Sequence, residues 1–371
     1  MHYPAEARVD LAAIRRNVAL LRERAGHVEL MGAVKADAYG HGLAATSAAI
    51  LDGGASRLGT AYIREGLALR AAGITAPVLS WIVTPGEPLD EALTAGLELS
   101  ASDEGTLSAI AEAARRTGVT ARMHLEADTG MSRGGSPLAA WPGLLDAARK
   151  FQAEGVVELV GLWSHFACAD IPGHPSIQAQ LECFHAALEM ADAPSHVIRH
   201  MSNSAAIVTL PQARFDLVRP GIAMYGLSPI PELGDFGLRQ AMTLAAQVGL
   251  AKAVPSGSGV SYGHHYTTEG EVTLGLVPLG YADGVLRHAT GRVDVLAGGR
   301  RRPIAGRVCM DQFMIDMGSD ELRSGDEVLL FGPGDRGEPT CQEWADNLGT
   351  ITHEIVTRIG ARVPRVYGVD G

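Results

Sequence analysis

Eight short apolar segments, each separated from the next by a stretch of helix-forming residues, recur through roughly the first 226 residues of the chain. Runs that are apolar throughout, rather than strictly alternating, are typical of strands buried on both faces of a parallel sheet. Eight such strands alternating with helices favour a closed (β/α)8 barrel of the TIM type, and a doubly wound open sheet is the structural alternative. In chain order the segments are VELMGAVK, RLGTAY, APVLSWIV, LELSAS, ARMHLEAD, ELVGLWSHF, HVIRHMS and DLVRPGIAMYG.

The pattern changes after the Pro- and Gly-rich segment SPIPELGDFG. Beyond it, short strand-like runs are bounded by turn residues: EVTLGLVPLG, RVDVLAGGR, RVCMDQFMIDMG and DEVLLFGPGD. The alternation in RVCMDQFMIDMG predicts one continuous strand through residues 307–318. The sequence therefore predicts an α/β protein with an N-terminal barrel over residues 1–235 and a β-strand-rich C-terminal domain over residues 236–371.

Charge and composition exclude several classes of partner. The formal net charge is −11, whereas nucleic acids and anionic membranes require clustered Lys and Arg. No segment has the uninterrupted apolar length of a membrane span, and the four cysteines lack zinc-ligand spacing. We therefore expect a cytoplasmic protein that binds no metal, nucleic acid or membrane.

Polar residues follow several of the predicted barrel strands where each strand ends, and that end of a barrel carries the active site. A lysine there is partly desolvated, which lowers its pKa and makes the neutral amine available to an aldehyde; a lysine that merely reaches solvent is the other interpretation. The segments SNSAA and RPGIA could together offer donors to a phosphate, although Asn203 is also an ordinary helix cap. The residues concerned are Lys35, Asp128 to Arg133, His165, Asn203, Ser204, Arg219 and Gly221.

These residues lie in segments that resemble the alanine racemase family over nearly the whole chain. AVKADAYGHG is similar to the lysine signature of that family, and DTGMSR, WSHFACAD, NSAA, RPGIAMYG, VSYGHHY, GYADG and GRVCMDQ resemble its other motifs in the same order. The resemblance implies a pyridoxal 5′-phosphate enzyme with a barrel and a β-strand domain. It also implies a homodimer, because the family's active-site tyrosine comes from the partner subunit.

The resemblance also implies a role for each matching position. Lys35 would hold the cofactor as an internal aldimine and act as the base on the D-alanine side, and Tyr262 would serve the opposite face, since racemisation requires a base on each side. Arg219 would face the pyridine nitrogen, and His165 would link it to Tyr262. The remaining positions would hold the cofactor phosphate (Tyr39, Ser204, Gly221 and Ile222), receive the substrate carboxylate (Arg133 and Met310), or line the approach and the site (Tyr281, Cys309 and Asp311).

Two positions depart from the family pattern. In the segment TITHE, His353 stands where many relatives have a phosphate-binding tyrosine, so phosphate binding could vary with pH. Glu126 stands where some relatives have a carbamylated lysine. We hypothesise that its carboxylate replaces the carbamate charge near Arg133.

The leading hypothesis is an enzyme that interconverts L- and D-alanine and supplies D-alanine for peptidoglycan. A racemase of broader specificity, acting for example on serine, is an alternative. An amino-acid decarboxylase with a similar barrel is disfavoured by Arg219, because those enzymes resemble one another in placing a carboxylate at the ring nitrogen. A non-catalytic pyridoxal-phosphate carrier would leave the second domain and Tyr262 unexplained.

Overall fold

A computed structural model describes residues 4–368 of the chain. Residues 1–3 and 369–371, which the expected domain bounds include, lie outside that range. Up to residue 218, ten strands are connected mostly by helices. The strands are β1 (Ala5–Asp10), β2 (Glu29–Ala33), β3 (Arg57–Tyr62), β4 (Val78–Ile82), β5 (Glu98–Ala101), β6 (Ala121–Asp128), β7 (Ser136–Pro137), β8 (Val157–Trp163), β9 (Ile198–His200) and β10 (Leu217–Val218).

The helices of this part pack around those strands. They are α1 (Leu11–Ala25), α2 (Lys35–Tyr39), α3 (Leu43–Asp52), α4 (Ile63–Ala71), α5 (Leu89–Thr94), α6 (Glu104–Thr117), α7 (Trp141–Ala153), α8 (Pro175–Ala191) and α9 (Ser204–Thr209). Helix α1 begins where Asp10 Oδ1 accepts a hydrogen bond from the Ala13 amide at 2.8 Å, and Gly26 follows its last turn. Its buried stripe of Ile14, Val18 and Leu21 has the spacing of one helix face.

Eight parallel strands close into a barrel, which confirms the first expectation. The order β2, β3, β4, β5, β6, β8, β9, β10 returns to β2, because β5 pairs with β6 and β10 pairs with β2. With these pairs, the eight-stranded sheet has no free edge. The doubly wound open sheet is therefore ruled out, because it has two free edges. All eight predicted apolar segments supply one barrel strand each.

The second domain is built on an extensive sheet. Its strands are β11 (Met242–Gln247), β12 (Leu250–Val254), β13 (Gly259–Val260), β14 (Tyr266–Thr267), β15 (Val272–Val277), β16 (Asp294–Ala297), β17 (Arg300–Ala305), β18 (Phe313–Asp316), β19 (Glu327–Phe331) and β20 (Arg365–Gly368). Helices α10 (Cys341–Leu348) and α11 (Thr352–Thr357) precede β20. Strands β13 and β14 form a separate hairpin. A strand-rich C-terminal domain is thus confirmed.

Strand β1, at the start of the chain, belongs to this second sheet. It lies between β11 and β20, antiparallel to the first and parallel to the second. Ala7 and Val9 are buried, and intervening residues are more accessible, as in a strand with one face against a core. The two ends of the chain therefore meet in one sheet. The predicted division between residues 235 and 236 stays a prediction.

The expectation of one continuous strand through residues 307–318 was wrong. Only Phe313–Asp316 pair as β18, and the preceding residues form a loop. The carbonyls of Cys309 and Met310 accept hydrogen bonds from the amides of Tyr281 and Ala282, both at 3.0 Å. Because these carbonyls bond another loop, no strand ladder extends along the segment.

Helix α2 is a left-handed turn. Ala36, Asp37, Ala38 and Tyr39 have φ between 53° and 56°, and Gly40 follows at 77°. Such a conformation costs each residue with a β-carbon roughly 1–2 kcal/mol, so the surroundings must impose it. The second domain contributes to this, because Arg365 Nε donates to the Gly40 carbonyl at 2.8 Å.

Within residues 4–368, no helix combines the length and apolar composition that crossing a bilayer requires.

Gly40→Ala tests whether this turn depends on the seating of the second domain. The new methyl group would overlap the Val356 carbonyl oxygen of α11 at a positive φ, so we expect a loss of about 3 kcal/mol in the free energy of unfolding. Gly73→Ala is the matched control, because Gly73 has a φ of 84° and open space around it, and it should lose only about 1 kcal/mol. Equal losses in denaturant unfolding would contradict the proposed contact.

Candidate active site

A cavity of about 820 Å³ lies at the ends of the barrel strands where the sequence analysis placed the reactive residues. Its volume is within the range typical of small-molecule sites. Two residues of α11, His353 and Thr357, join its wall, and the rest of the lining comes from the barrel domain. The predicted site residues that line it are Lys35, Tyr39, Glu126, Arg133, His165, Ser204, Arg219, Gly221, Ile222 and His353.

Lys35 begins the left-handed turn and reaches into this cavity. Burial lowers the pKa of its amine, the nearby charge of Arg133 lowers it further, and Glu65 opposes both. The ammonium lies 5.9 Å from the ring centre of Trp81. Burial and the charge of Arg133 both favour the neutral amine, which is the nucleophilic form expected from the sequence.

Glu65 fixes the backbone next to Lys35. One carboxylate oxygen accepts the Ala36 amide at 2.7 Å, and the other accepts the amides of Ala61 and Tyr62 at 2.9 and 3.1 Å. The residue therefore ties the start of the left-handed turn to the end of β3. Sequence reasoning missed Glu65, whose only signal was its position in the first turn of a helix.

At one end of the cavity, hydroxyl groups converge on the backbone after β10. The Ser204 hydroxyl oxygen accepts the amides of Gly221 at 2.8 Å and Ala223 at 3.4 Å, which leaves its proton free to donate. The Tyr39 hydroxyl lies where a β-carbon on Gly221 would be, so only glycine fits there. Burial raises the pKa of Tyr39, which keeps this phenol protonated and able to donate.

His353 stands beside this group, with its ring 6.0 Å from that of Tyr39. Burial lowers the pKa of His353 to about 4, and the charge of Lys35 acts in the same direction. The imidazole is therefore neutral at neutral pH, which limits the pH dependence that the sequence suggested. Its Nδ1 atom is buried and has no hydrogen-bond partner among residues 4–368.

Arg219 is the buried cation of the site, with 7% of its surface exposed. Its Nη2 donates to the Ser164 carbonyl at 2.7 Å and to His165 Nδ1 at 3.1 Å, and its Nη1 donates to His200 Nδ1 at 2.8 Å. Burial lowers the pKa of Arg219 to about 9, against the opposing charge of Glu126, so the guanidinium remains protonated at neutral pH. Its Nε makes no hydrogen bond within residues 4–368 and is free to meet a group in the cavity.

His165 receives its hydrogen bond from an arginine, which can only donate. Its Nδ1 must therefore carry the lone pair, and the proton of the neutral ring must be on Nε2. Burial and the charges of Arg219, Arg133 and Lys35 hold the pKa of His165 well below its usual value. The neutral Nε2–H tautomer is the form present at neutral pH.

Arg133 comes from a loop whose shape is set by local hydrogen bonds. Asp128 Oδ1 accepts the amides of Gly130 and Ser132 at 2.9 and 3.1 Å. The Gln180 amide joins this loop to the next one, since it donates to Thr129 Oγ1 at 3.1 Å and to the His165 carbonyl at 2.9 Å. Arg133 itself is exposed and makes no ion pair within residues 4–368, so its guanidinium is available to an anion.

Glu126 is buried in the cavity wall, where Ser102 Oγ donates to it at 3.0 Å. Burial raises the pKa of Glu126, while the charges of Arg219 and Arg133 lower it. Glu126 thus lies within electrostatic reach of both arginines, but it forms no direct ion pair with either among residues 4–368.

Tyr262, Tyr281, Cys309, Met310 and Asp311 do not line the cavity that holds Lys35. They lie together on the second domain, where the Ser261 hydroxyl contacts Cys309 Sγ at 3.3 Å and the Cys309 carbonyl accepts the Tyr281 amide. Tyr262, Met310 and Tyr281 expose 70%, 53% and 41% of their surfaces. Exposed apolar groups of this size suit contact with another molecule.

Two tryptophans of the cavity wall were not anticipated. Arg219 lies over the ring of Trp163 at 5.0 Å, and Trp163 and Trp81 are 6.5 Å apart. The signal for Trp163 was its place in the segment LWSHF, two residues before His165. Trp81 lies inside another apolar run, APVLSWIV, where a large aromatic side chain is also an ordinary core residue.

Comparisons with known proteins agree along the whole chain. The family model "Alanine racemase, N-terminal domain" matches residues 9–229, and "Alanine racemase, C-terminal domain" matches residues 241–367. Alanine racemase from Frankia casuarinae is 57% identical over 97% of this chain and 95% of its own length, and that from Thermobifida fusca is 56% identical over 98% of each. The crystal structure of alanine racemase from D-cycloserine producing Streptomyces lavendulae has a TM-score of 0.97 and 50% identity, covering 100% of this chain and 98% of its own. With its barrel, strand domain and lysine-containing cavity, the chain belongs to the alanine racemase family of enzymes.

Proposed function

We propose that this enzyme interconverts L- and D-alanine with pyridoxal 5′-phosphate, using Lys35 and Tyr262 as bases on opposite faces of the substrate. The observation that carries the proposal is the desolvated Lys35 in a cavity that also contains Arg219 and a cluster of hydroxyl donors. Lys35 is suited to hold an aldehyde covalently. Arg219 is suited to stay protonated, because a guanidinium cannot accept a further proton and does not release its own at neutral pH.

The cavity fits the cofactor. Tyr39, Ser204 and His353 line the cavity beside Gly221, and a β-carbon at Gly221 would displace the Tyr39 hydroxyl from this group of donors. The free proton of Ser204, the protonated phenol of Tyr39 and the neutral ring of His353 can all donate to phosphate oxygens. When bound, pyridoxal phosphate withdraws electrons from an attached amino acid and so acidifies its Cα–H.

The chain's own residues then move the proton. Lys35 takes the Cα proton of D-alanine and returns one to the same face in the reverse direction. Tyr262 does the same on the L-alanine face. We infer that the Nε2–H of His165 meets the Tyr262 oxygen and stabilises its anionic form, since Nδ1 is occupied by Arg219.

The position of Tyr262 supports a shared site in a homodimer. Tyr262, Tyr281 and Met310 are exposed on the second domain, away from the cavity lining of their own chain. A second copy could bring this surface over the cavity and bury it. The guanidinium of Arg133 would then receive the substrate carboxylate. Met310, which lies on the surface that the second copy contributes, would receive it together with Arg133.

Arg219 also helps to distinguish racemisation from the other reactions that a bound pyridoxal phosphate could support. A guanidinium at the ring nitrogen withdraws less electron density than a protonated ring, which favours return of the proton to Cα over decarboxylation or transamination. The Tyr262 surface argues against a non-catalytic carrier. Specificity for alanine over serine depends on the width of the completed site, so the broad-specificity racemase is the second candidate.

We further propose a cytoplasmic enzyme that supplies D-alanine for peptidoglycan. This role rests on the family alone. The direct test of activity is Cα-proton exchange in heavy water, followed by NMR and chiral analysis, with L-alanine, D-alanine, L-serine and L-lysine offered separately. Exchange with inversion for alanine only supports the proposal, inversion of serine supports the broader racemase, and no exchange with bound cofactor contradicts both.

Tyr262→Phe tests the two-base assignment. Loss of the phenol should lower the exchange rate of L-alanine by about 10²–10⁴-fold, whereas D-alanine should still exchange its proton on the Lys35 face without inversion. Tyr266→Phe is the control, because Tyr266 begins β14, directly after the loop that carries Tyr262, and its hydroxyl donates to Asp316 at 2.8 Å. Normal racemisation by the Tyr262 variant would exclude its role as a base.

Mixing Lys35→Ala and Tyr262→Phe proteins tests the shared site. If Tyr262 acts across subunits, each mixed dimer contains one intact site, and random reassortment should restore about a quarter of the wild-type activity. Each variant alone should be nearly inactive. Failure to recover activity, with mixed dimers demonstrated by differently tagged subunits, would place both groups in the same chain's site.

Glu126→Gln tests whether this carboxylate positions Arg133. Loss of its charge should raise the KM for alanine by about fivefold, equivalent to roughly 1 kcal/mol. Ser102→Ala keeps the charge and should have a smaller effect. Wild-type activity should not change in buffer depleted of carbon dioxide. If both KM and kcat of Glu126→Gln equal those of the wild type, the hypothesis is wrong.

A further inference from the structure

A file of polar side chains crosses the barrel interior beneath the cavity. It begins at Arg219, passes through His200 and His124, and ends at Glu98. The distances are 2.8 Å from Arg219 Nη1 to His200 Nδ1, 2.9 Å from His200 Nε2 to His124 Nδ1, and 3.2 Å from His124 Nε2 to Glu98 Oε2. Glu98 begins β5 whereas Arg219 follows β10, so the file joins opposite ends of the barrel.

All four side chains are removed from solvent. His124 and His200 have no exposed surface, Glu98 exposes 2% and Arg219 exposes 7%. The His200 ring is stacked on Trp163 at 5.9 Å with an interplanar angle of 2°, and Arg219 lies over the same indole. The indole thus restricts the movement of both groups, so the direction of each hydrogen bond becomes the remaining variable.

The direction of the hydrogen bonds can be worked out from the arginine. Arg219 can only donate, so His200 Nδ1 carries a lone pair and His200 Nε2 carries the proton. That proton requires a lone pair on His124 Nδ1, which leaves the His124 proton on Nε2. It points to Glu98, an acceptor when ionised. Each link is satisfied only when both imidazoles are neutral and protonated at Nε2.

Two arginines at the far end of the barrel keep Glu98 ionised. Arg57 Nη1 lies 3.0 and 3.1 Å from its two oxygens, and Arg122 Nη2 lies 3.0 Å from Oε1. Burial by itself raises the pKa of Glu98, but the hydrogen bond from His124 and the charges of Arg57 and Arg122 outweigh it and hold the pKa at about 2. An ionised carboxylate cannot donate, so it accepts only one tautomer of His124.

We propose that Glu98, at the end of the barrel opposite the cavity, is a positioning residue that orients Arg219 by imposing the Nε2–H tautomer on His124 and, through it, on His200. This inference rests on the proposed function in one respect, the contact of Arg219 with the cofactor ring. The reversed tautomers would direct an N–H of His200 at the Nη1–H of Arg219, and the two donors would repel. Arg219 would then turn away, and its free Nε–H would change direction.

Glu98→Gln removes the selection of one His124 tautomer and changes the shape of the side chain very little. A glutamine amide can accept from His124 through its oxygen or donate to it through its nitrogen, so it permits both tautomers. Glu29→Gln is the matched control, because Glu29 also pairs with Arg57, at 3.0 Å, but its side chain is 45% exposed and makes no hydrogen bond to either histidine. The control separates the tautomer effect from loss of a charge beside Arg57.

The deciding measurement is the long-range ¹H–¹⁵N correlation spectrum of protein labelled in histidine and loaded with pyridoxal phosphate. We expect single Nε2–H tautomers for His124 and His200 in the wild type and in Glu29→Gln, and mixed tautomers in Glu98→Gln. A wild-type spectrum with Nδ1–H or an imidazolium at either ring would overturn the inference, even if the variant failed to fold. A single Nε2–H tautomer in a folded Glu98→Gln protein would also overturn it.

Kinetics provide a second readout. Glu98→Gln should lower kcat by about tenfold while KM for alanine stays within about twofold, and it should change the absorption spectrum of the bound cofactor. Glu98→Asp, which keeps the charge, should restore the single tautomer and part of the kcat. A lower melting temperature with unchanged kcat and spectrum would indicate a purely structural role. The tautomer spectra remain informative even if the enzyme racemises a different amino acid.

Discussion

The left-handed turn after Lys35 is the constraint on which the site depends. Four residues with β-carbons adopt a conformation that each of them disfavours, and the turn persists because contacts from both domains impose it. Glu65 holds its first amide from the barrel side, and Arg365 holds the Gly40 carbonyl from the second domain. The lysine is thereby presented from a rigid point instead of a flexible loop.

Burial of charge determines the chemistry that the cavity can support. Arg219 is almost fully enclosed, and its position depends on carbonyls and neutral imidazoles that can only accept its protons. The same low-polarity surroundings lower the pKa of Lys35 and keep His165 and His353 neutral. The imidazoles of His165 and His200 each present a lone pair to this one buried guanidinium. Burial thus shifts the Lys35 amine toward the neutral form that can take a proton, and it keeps the His165 imidazole neutral.

The Tyr262 surface gives the second domain its proposed function. The strand domain contributes α11 to its own chain's cavity and displays Tyr262, Tyr281 and Met310 outward. The loop that carries Tyr262 is held by the Ser261 hydroxyl, which donates to the Arg307 carbonyl at 2.7 Å. A rigid, exposed aromatic loop is suited to complete a site on a second copy. If the strand domain of one subunit completes the cavity of the other, activity depends on dimer assembly.

The sequence by itself determined the features that local pattern encodes. The eight apolar runs specified the barrel strands, and residues directly after those strands, among them Lys35, Ser204 and Arg219, line the cavity because parallel strands end at one edge. Tertiary structure decided what depends on partners far along the chain. Residues 307–312 form a loop because their carbonyls bond the 281–282 segment, β1 pairs with β11 and β20, and the turn after Lys35 is left-handed under contacts from Glu65 and Arg365. The file from Arg219 to Glu98 likewise required barrel closure, since alternation and spacing carry no information on which buried polar groups will meet.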